Sequence, residues 1–479
     1  MIKKLSVLFL TLILVLSSVS MAFGCGTTDT SYIPKEKYKP QQQVEEDDEI
    51  EYYYENINRE TLEGFTLNQI KSFHTELQSD FINGNLQIPD NTVNGKTELS
   101  RPAPVTITWP AIKDALKYKV LISENADMTG AMLYWTNADG SDISTNSLTF
   151  DNNLKSKTVY WYQAVARNNG AKSKIMCFMT DDVLPRNIYV DGITNMRDLG
   201  GYIVEGNTVK QGMIYRSGRL NKSKATTLTV EITEAGKKTM LETLGIKTEI
   251  DLRRDAEEIG GLNGVSVLGS GVKYFNCAMQ WNGGANTTRP YLEQNFPSIC
   301  KVFEILADKD NYPVFFHCDI GTDRTGMMAY FIGAVLGEDK ETLKKDYLFS
   351  NFGNINGSRD TNETHGFTFY EQAIDDAEGE TLAEKAEYLL INTVGVQKAD
   401  IDALKEIMLE DCVYEQGVVV SEPTATANGL TYYKCTNNPA KSYYKVTTYV
   451  QQEGGAASLQ VALPTKTGMS SSDEEAIAA

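Results

Sequence analysis

A cysteine and an arginine lie six positions apart in the segment formed by residues 317–326, which reads HCDIGTDRTG. A largely apolar run, residues 313–316, precedes this segment, and a long apolar stretch follows it from Met327. The pattern predicts a buried strand, a tight loop and then a helix. The attacking form of cysteine is the thiolate, and a helix N-terminus with nearby positive charge lowers the pKa of a thiol from about 8.5 to roughly 3.5–7.5. We therefore expect Cys318 to be an ionised nucleophile at neutral pH.

The other residues of this segment favour the binding of a tetrahedral dianion. The backbone N–H groups of residues 319–324 would form a nest for an anion, reinforced by the dipole of the helix that follows. Gly321 gives the loop the conformational freedom that this curl needs, and the planar fork of Arg324 matches two phosphoryl oxygens. The predicted phosphate-binding residues are Asp319, Ile320, Gly321, Thr322, Asp323 and Arg324. A buried structural cysteine is the simple alternative, but it does not explain Gly321, Arg324 and Thr325 together.

Three more side chains of the segment have expected roles around the nucleophile. Thr325 can donate its hydroxyl to the cysteine sulfur, and His317 can orient the loop through hydrogen bonds to backbone carbonyls. Asp319 is expected to point outward from the loop, where its charge would disfavour acidic peptides.

The spacing Cys-x5-Arg-Thr resembles the signature of protein tyrosine phosphatases. With an aspartate directly before the arginine, the segment is similar to a bacterial family of tyrosine and dual-specificity phosphatases, some of which dephosphorylate phosphoinositides. Residues 195–202, 214–218 and 249–253 resemble three further blocks of that family, and the likeness extends over about residues 186–412. The resemblance implies a two-step reaction through a phosphocysteine, with no metal and no cofactor.

One departure from the family pattern concerns the substrate. Many members have lysine at the position of Thr322, where it would add a cation for a polyphosphorylated headgroup. The absence of this lysine disfavours a phosphoinositide as the substrate. The formal net charge of −19 acts in the same direction, because a strongly negative field slows the approach of polyanions.

The leaving oxygen needs a proton from a general acid within hydrogen-bond reach, and the resemblance implies that Asp323 supplies it. Asp251 and Asp198 are the alternatives, although an aspartate that follows a strand or precedes Leu-Gly-Gly is more often structural. Three arginines of the family-like blocks either face the pocket or form ion pairs, and these are Arg197, Arg216 and Arg253.

The N-terminus has the pattern of an exported protein. Two lysines precede an apolar run, and small residues surround the position before Cys25, which is typical of a signal peptide over residues 1–24. Cys25 is the candidate lipid-accepting residue of a bacterial lipoprotein, with free secretion as the alternative. The polar and acidic residues 25–56 predict a tether. We therefore expect the chain outside the cytoplasm, anchored at the outer face of a bacterial membrane if Cys25 is lipidated.

The seven cysteines do not show a regular disulfide spacing. An odd number without regular spacing favours mostly reduced, buried thiols and gives no sign of a metal site. A bridge between Cys412 and Cys435 is the one pairing considered, and it requires the C-terminal tail to fold back.

With 479 residues, of which 41% are hydrophobic, the chain is long enough for more than one core. Residues 57–97 predict a helical linker, because apolar residues recur there at helical spacing. Residues 98–182 contain six short alternating runs typical of an all-β sandwich, and they resemble a fibronectin type III module. Residues 186–415 predict an α/β domain with a mainly parallel sheet flanked by helices, and the loop at the carboxyl edge of that sheet. Residues 416–479 predict a β-rich or disordered tail.

These patterns together predict an exported cysteine-dependent phosphatase for phosphate monoesters, with phosphotyrosine as the first choice. A phosphoinositide or inositol polyphosphate phosphatase is one alternative, and a surface-anchored binding protein with an inactive phosphatase fold is another. The predicted partner is a phosphorylated protein or a small phosphate ester, and the acidic composition disfavours nucleic acid. The pattern does not identify what the sandwich module binds.

Overall fold

The computed structural model describes residues 42–43, 69–88, 91–151, 153–204, 207–221, 231–254, 264–280, 289–362, 367–411, 416–422, 424, 429–435, 443–450 and 458–460. The predicted signal peptide, nearly all of the predicted tether, Cys25 and Cys412 lie outside these ranges. Within them, no helix combines the length and the apolar character needed to cross a membrane.

The first part of the chain contains two β-sheets that share a core. Its strands are β1 (Gln42–Gln43), β2 (Ile70–Lys71), β3 (Val105–Thr108), β4 (Tyr118–Ser123), β5 (Met132–Tyr134), β6 (Ser147–Phe150), β7 (Val159–Ala166) and β8 (Met176–Thr180). Six form one sheet in the order β1-β5-β4-β7-β8-β2, and β3 pairs with β6 in the other. Side chains alternate between buried and exposed along β3, and its buried residues join those of β4 and β7 in one apolar cluster. Strands β3 to β8 lie where alternation predicts them, whereas the fibronectin type III identity stays a prediction.

The structure corrects the predicted helical linker over residues 57–97. Within its described part the helix is short, α1 (Glu76–Ile82), and Thr75 caps it through a capping box with Gln78. The preceding residues Ile70–Lys71 form a strand that pairs with Met179 and Thr180 of β8. Sheet pairing overrides the apolar spacing there, since tertiary partners decide between helix and strand in short segments.

The α/β part that follows carries the predicted loop. Its strands are β9 (Arg197–Asp198), β10 (Ile203–Val204), β11 (Asn207–Val209), β12 (Ile214–Ser217), β13 (Thr248–Asp251), β14 (Lys273–Asn276), β15 (Val314–His317) and β16 (Leu409–Asp411). Its α-helices are α2 (Glu234–Lys238), α3 (Arg289–Leu306), α4 (Asp323–Leu336), α5 (Lys340–Phe349), α6 (Phe367–Asp375), α7 (Leu382–Tyr388) and α8 (Lys398–Met408). Helices α2 and α7 continue as π-turns, Thr239–Thr243 and Leu389–Val394.

The central sheet has the order β14-β13-β15-β12-β9. Strands β14, β13, β15 and β12 are parallel to their neighbours, and only the edge strand β9 is antiparallel. The middle strand β15 is buried on both faces, which is typical of a parallel sheet covered by helices. The predicted α/β class with a mainly parallel sheet is therefore confirmed, and β15 delivers its carboxyl end to the loop.

The C-terminal strands β17 (Val418–Ser421), β18 (Gly429–Tyr433), β19 (Tyr443–Val450) and β20 (Ser458–Gln460) form a four-stranded sheet. Tyr432 and Tyr433 of β18 share an apolar cluster with Leu133 and Trp161 of the six-stranded sheet, so the described part of the tail folds back onto the first part of the chain. Cys435 is disulfide-bonded, while its predicted partner Cys412 lies outside the described residues. Cys177, Cys277, Cys300 and Cys318 are not disulfide-bonded.

Candidate active site

The loop after β15 lies between a buried strand and a buried helix. Strand β15 ends at His317, one residue later than the apolar run predicts, and α4 begins at Asp323. Every residue of α4 after Asp323 is buried, so the helix is anchored in the core and fixes the position of the loop. Cys318 stands at the base with only 1% of its surface exposed.

The backbone carbonyls of residues 318–322 all accept hydrogen bonds from groups outside the anion nest. Cys318 O receives one from His317 Nδ1 at 3.0 Å, Asp319 O one from Arg219 Nη1 at 3.0 Å, and Thr322 O one from Gly326 N at 2.7 Å. Asn195 Nδ2 donates to Ile320 O at 3.3 Å and to Gly321 O at 3.1 Å. Because the carbonyls are held outward, the N–H groups of the same peptides turn toward the centre of the curl, as an anion nest requires.

Gly321 has the backbone conformation that only glycine adopts without cost. Its φ is +75°, in the left-handed region. A Cβ atom at this position would come within 3.0 Å of the backbone of Ser217 and Gly218. The predicted need for glycine is thus explained by both the φ angle and the close approach of β12.

His317 links the loop to the neighbouring strand β13. Its two ring nitrogens each lie 3.0 Å from an acceptor oxygen, Cys318 O on one side and Glu249 Oε1 on the other. These two contacts fix the orientation of the ring next to Cys318.

Asp251 forms a buried ion pair with Arg253. Its carboxylate accepts from Arg253 Nη2 at 2.7 Å, from Arg253 Nε at 3.0 Å and from the Tyr274 hydroxyl at 3.0 Å. Burial raises the pKa of Asp251, but the His317 ring and the Arg253 guanidinium outweigh it and lower that pKa below the usual value. Glu249, Asp251 and His317 are donor types that could hold a metal ion. Since Arg253 and Tyr274 already occupy the carboxylate of Asp251, we assign the cluster to holding the loop.

Beneath the loop, one carboxylate serves two buried arginines. Asp346 of α5 accepts from Arg197 Nε at 2.6 Å and also from Arg216 Nη1. Arg216 Nη2 in turn donates to Gly321 O at 2.8 Å, and Arg197 Nη1 donates to Asn195 Oδ1 at 2.6 Å. Burial and the neighbouring Arg197 lower the pKa of Arg216 to about 10. Arg197 and Arg216 therefore support the loop from below, as the ion-pair alternative expects.

Asp198 has the structural role that its sequence context favours. Its two oxygens accept from Arg186 Nη1 at 2.6 Å, Gly200 N at 2.9 Å and Gly212 N at 2.6 Å. The side chain is fully buried, and these three donors hold its two oxygens. Asp323 is therefore the candidate acid, of the three considered, that belongs to the nucleophile segment.

Each of the two loop aspartates pairs with an arginine. Asp323 Oδ1 lies 3.1 Å from Arg359 Nε, with both side chains 13% exposed. Asp319 Oδ1 lies 3.3 Å from Arg219 Nη1, with Asp319 14% exposed and Arg219 fully buried. The outward direction of Asp319 stays a prediction.

Arg324 and Thr325 occupy the first turn of α4 and are buried. Arg324 Nη1 donates to Leu252 O at 3.3 Å and to Met279 O at 3.4 Å, so carbonyls at the ends of neighbouring strands orient the guanidinium. The Thr325 hydroxyl is buried and has no hydrogen-bond partner in the described part of the chain. The predicted hydrogen bond from Thr325 to the sulfur is therefore not present in the structure.

Four residues of the site have no role in the predictions made from the sequence. Asn195, Glu249, Asp346 and Arg359 each bond to the loop or to a residue that holds it. Asn195 adopts a left-handed φ of +60°, and it opens the family-like block of residues 195–202. Its position in that block is the signal that could have identified it.

Residues 188–410 match the model of the tyrosine phosphatase family. A protein of Cupriavidus necator that is named as a candidate tyrosine-protein phosphatase is 28% identical over 184 residues, which cover 34% of this chain and 62% of that relative. The chain therefore spans about three fifths of that relative's length. The family match supports the resemblance and supports a phosphoric monoester hydrolase.

Two solved structures are also similar over part of the chain. The core catalytic domain of the Saccharomyces cerevisiae PP-IP phosphatase Siw14 is 19% identical, covers 40% of this chain and 89% of its own, and has a TM-score of 0.25. Pseudomonas aeruginosa TpbA is 16% identical, covers 35% of this chain and 83% of its own, and has a TM-score of 0.22. These TM-scores are too low for a conclusion about the structure of this chain.

Proposed function

We propose that this chain is an exported cysteine-dependent phosphatase that hydrolyses phosphate monoesters, with phosphotyrosine as the favoured ester. The observation that carries the proposal is the outward hydrogen bonding of the carbonyls of residues 318–322 around the buried sulfur of Cys318. This arrangement directs a ring of N–H groups at the position where three phosphoryl oxygens would lie. Arg324, held by Leu252 O and Met279 O, completes the ring.

The reaction follows from these positions in two steps. In the first, the Cys318 thiolate attacks phosphorus, the bond to the leaving oxygen breaks, and Asp323 gives that oxygen a proton. In the second, Asp323 takes a proton from water as the water oxygen attacks phosphorus, and the thiolate leaves with its electron pair. The N–H groups and Arg324 stabilise the charge on the equatorial oxygens in both steps.

The depth of the sulfur supports an aryl ester. Cys318 is 1% exposed, so the phosphate must reach the base of a pocket before attack is possible. The ring of phosphotyrosine gives that reach, whereas the phosphate of phosphoserine lies much closer to the peptide backbone. The family match and the name of the Cupriavidus necator relative agree with this choice.

The side chains around the loop argue against a polyphosphorylated headgroup. Thr322 stands where a lysine would add a cation, and it is fully buried with its hydroxyl 3.3 Å from Asn195 Nδ2. Arg219, which is fully buried, and Arg359, which is 13% exposed, each pair with a loop aspartate. Their charges are therefore largely balanced locally, and little positive charge remains for additional phosphate groups.

Export and lipid anchoring belong to the same proposal and rest on the N-terminal pattern alone. Residues 1–24 would be removed, and Cys25 would carry the lipid. Metabolic labelling with a fatty acid, compared between the full chain and Cys25→Ser, tests this part independently of turnover.

The central experiment compares Cys318→Ser with Cys277→Ser in the purified protein. Both thiols are free and buried, but burial raises the pKa of Cys277 to about 12, so that thiol does not ionise at neutral pH. We expect Cys318→Ser to abolish turnover of an aryl phosphate and Cys277→Ser to retain it. Equal turnover by wild type and Cys318→Ser would overturn the proposal, while absent turnover in wild type with intact vanadate binding would favour the inactive binding protein.

The role of Asp323 is tested by the leaving group. An aryl oxygen departs with little help from an acid, whereas an alkyl oxygen needs the proton. Asp323→Asn should therefore slow an alkyl phosphate much more than an aryl phosphate. An equal decrease for both esters would mean that Asp323 does not act as the acid.

A further inference from the structure

A segment upstream of the family match bonds directly to the loop that carries Arg359. Gly95 N donates to Asn351 O at 2.9 Å, and Gly95 O accepts from Ile355 N at 2.9 Å and from Gly357 N at 3.0 Å. Leu99 N donates to Phe352 O at 2.5 Å. These bonds join residues 93–99, which we call the brace, to residues 351–357, which follow α5.

Apolar contacts and one carboxylate fix the brace in place. Val93 shares a buried cluster with Phe81 of α1 and with Phe349 and Phe352. Glu98 Oε2 accepts from the Thr194 hydroxyl and from Asn354 N, the latter at 3.2 Å. Thr194 is adjacent in sequence to Asn195, which bonds to the nest from outside. The brace therefore contacts two segments that border the nucleophile loop.

Asn351 connects the brace to the rim of the site. Its carbonyl accepts from Gly95, and its side chain bonds to both backbone groups of Arg359: Arg359 N donates to Asn351 Oδ1 at 2.7 Å, and Asn351 Nδ2 donates to Arg359 O at 2.9 Å. Asn351 is fully buried. A continuous set of contacts thus runs from Gly95 through Asn351 and Arg359 to Asp323.

We propose that Arg359 is a positioning residue for Asp323, and that the brace, which precedes the phosphatase-like domain by about 90 residues, holds Arg359 in place. The inference rests on the proposed function, because it assigns Asp323 as the acid and base. The residues that support the active site then include the brace, most of which lies in the predicted linker of residues 57–97.

The guanidinium of Arg359 serves both steps of the reaction by holding Asp323 in one place. Its Nε lies 3.1 Å from Asp323 Oδ1, and the same carboxylate must meet the leaving oxygen in the first step and the attacking water in the second. Burial lowers the pKa of Arg359, but Asp323 outweighs it and raises that pKa above the usual value, so the guanidinium stays charged. Tyr347 and Tyr370 also interact with Asp323, and burial raises the pKa of both phenols, so both stay neutral near neutral pH.

The first test compares kcat/KM for an alkyl phosphate with that for an aryl phosphate. Arg359→Ala should lower the alkyl-to-aryl ratio by about 10- to 100-fold, because a misplaced Asp323 fails the ester whose leaving oxygen needs the proton. Arg359→Lys should restore part of the ratio, since it keeps the charge without the fork. Arg359 also interacts with Cys318, but that interaction affects both esters, so the ratio isolates the effect on Asp323.

The second test uses a matched pair of glycine substitutions. Gly95 and Gly84 both have left-handed φ angles, +67° and +79°. A Cβ atom on Gly95 would lie 2.5 Å from Gly357 O, whereas a Cβ atom on Gly84 would meet nothing within 4 Å. Gly95→Ala should lower the alkyl-to-aryl ratio in the same direction as Arg359→Ala, and Gly84→Ala should leave it unchanged.

A readout that needs no turnover separates this inference from the proposed function. In the Cys318→Ser background, Gly95→Ala should increase hydrogen exchange of the amides of residues 351–359, and Gly84→Ala should not. Unchanged exchange would overturn the brace. An unchanged alkyl-to-aryl ratio in Arg359→Ala, with Cys318-dependent turnover intact in wild type, would overturn the positioning role alone.

Discussion

Replacing Asp346 by asparagine should destabilise the α/β part and weaken its hold on phosphate at once. Asp346 is 8% exposed, and its partners Arg197 and Arg216 are fully buried. The substitution keeps the shape of the side chain but leaves two buried guanidinium groups without a counter-charge. Breaking a buried ion pair in this way costs about 3 to 5 kcal/mol, against a total stability of about 5 to 15 kcal/mol for a typical protein. The variant should therefore fold at 25 °C with a much lower urea midpoint.

The pH dependence gives the prediction a second check. Burial raises the pKa of Asp346, but Arg197 and Arg216 outweigh it and hold that pKa below its usual value. A carboxylate with a lowered folded-state pKa stabilises the fold above its unfolded pKa, about 3.9, and this stabilisation disappears as the pH falls through the folded-state pKa. The difference in unfolding free energy between wild type and Asp346→Asn should thus be constant near neutrality and shrink below about pH 4.

Urea denaturation followed by circular dichroism measures the stability, and vanadate titration measures the loop. Vanadate affinity should fall because Arg216, which Asp346 orients, donates to Gly321 O at 2.8 Å. Asp402→Asn is the control, since Asp402 pairs with Lys398 on an exposed face of α8, and it should change neither quantity. A loss of less than about 1 kcal/mol in Asp346→Asn, well below the range for a buried pair, would show that the three charges do not act as a supporting network.

Two further predictions concern residues at the borders of the α/β part. Burial lowers the pKa of His74 from 6.5 to about 4, so the folded state loses stability as the pH falls below 6.5; the stability difference between wild type and His74→Gln should decrease by about 2 kcal/mol between pH 7 and pH 5. Asp181, whose pKa burial raises to about 6, acts in the opposite sense but cancels in this difference, and urea midpoints at both pH values decide the outcome. Asn195→Gly retains the φ of +60° but removes the donors to the loop, so turnover should fall by up to about 100-fold. The urea midpoint should fall as well, because the buried Arg197 Nη1 loses its acceptor. Asp114→Gly, at a φ of +59° on the sandwich, should leave turnover unaltered.

The elements next to the nucleophile are predictable because their signals are local. The apolar run before Cys318 predicts β15 within one residue at each end, whereas α4 begins four residues before the apolar stretch that predicts it. The alternating runs of the first part of the chain predict β3 to β8 in the same way. An apolar run or period reports the burial of a single element: β15 and α4 are buried throughout, and β3 is buried at alternate side chains.

The supports of the loop are not predictable in this way, since their partners are distant in sequence. Arg197 and Asp346 are 149 positions apart, and Asn195 and Gly321 are 126 apart. Nothing in the sequence around Asp346 indicates that α5 turns this carboxylate toward two buried arginines. The brace cannot be predicted for a related reason. A glycine at position 95 indicates only a turn, and its contact with Gly357 joins residues that are distant in sequence.

The charge of the whole chain and the charge of the site act on different parts of the reaction. The formal net charge of −19 opposes the approach of any polyanion, but this field is screened over about 8 to 10 Å at physiological ionic strength. Close to the nucleophile, the ionised partners are arginines paired with single carboxylates: Arg197 and Arg216 with Asp346, Arg219 with Asp319, Arg253 with Asp251 and Arg359 with Asp323. In these pairs five arginines face four carboxylates, so most of their charge is balanced locally, and the amide ring and Arg324 bind the phosphoryl group. A site of this kind holds one dianion well and gains little from a second, which is the physical reason to expect a monoester as the substrate.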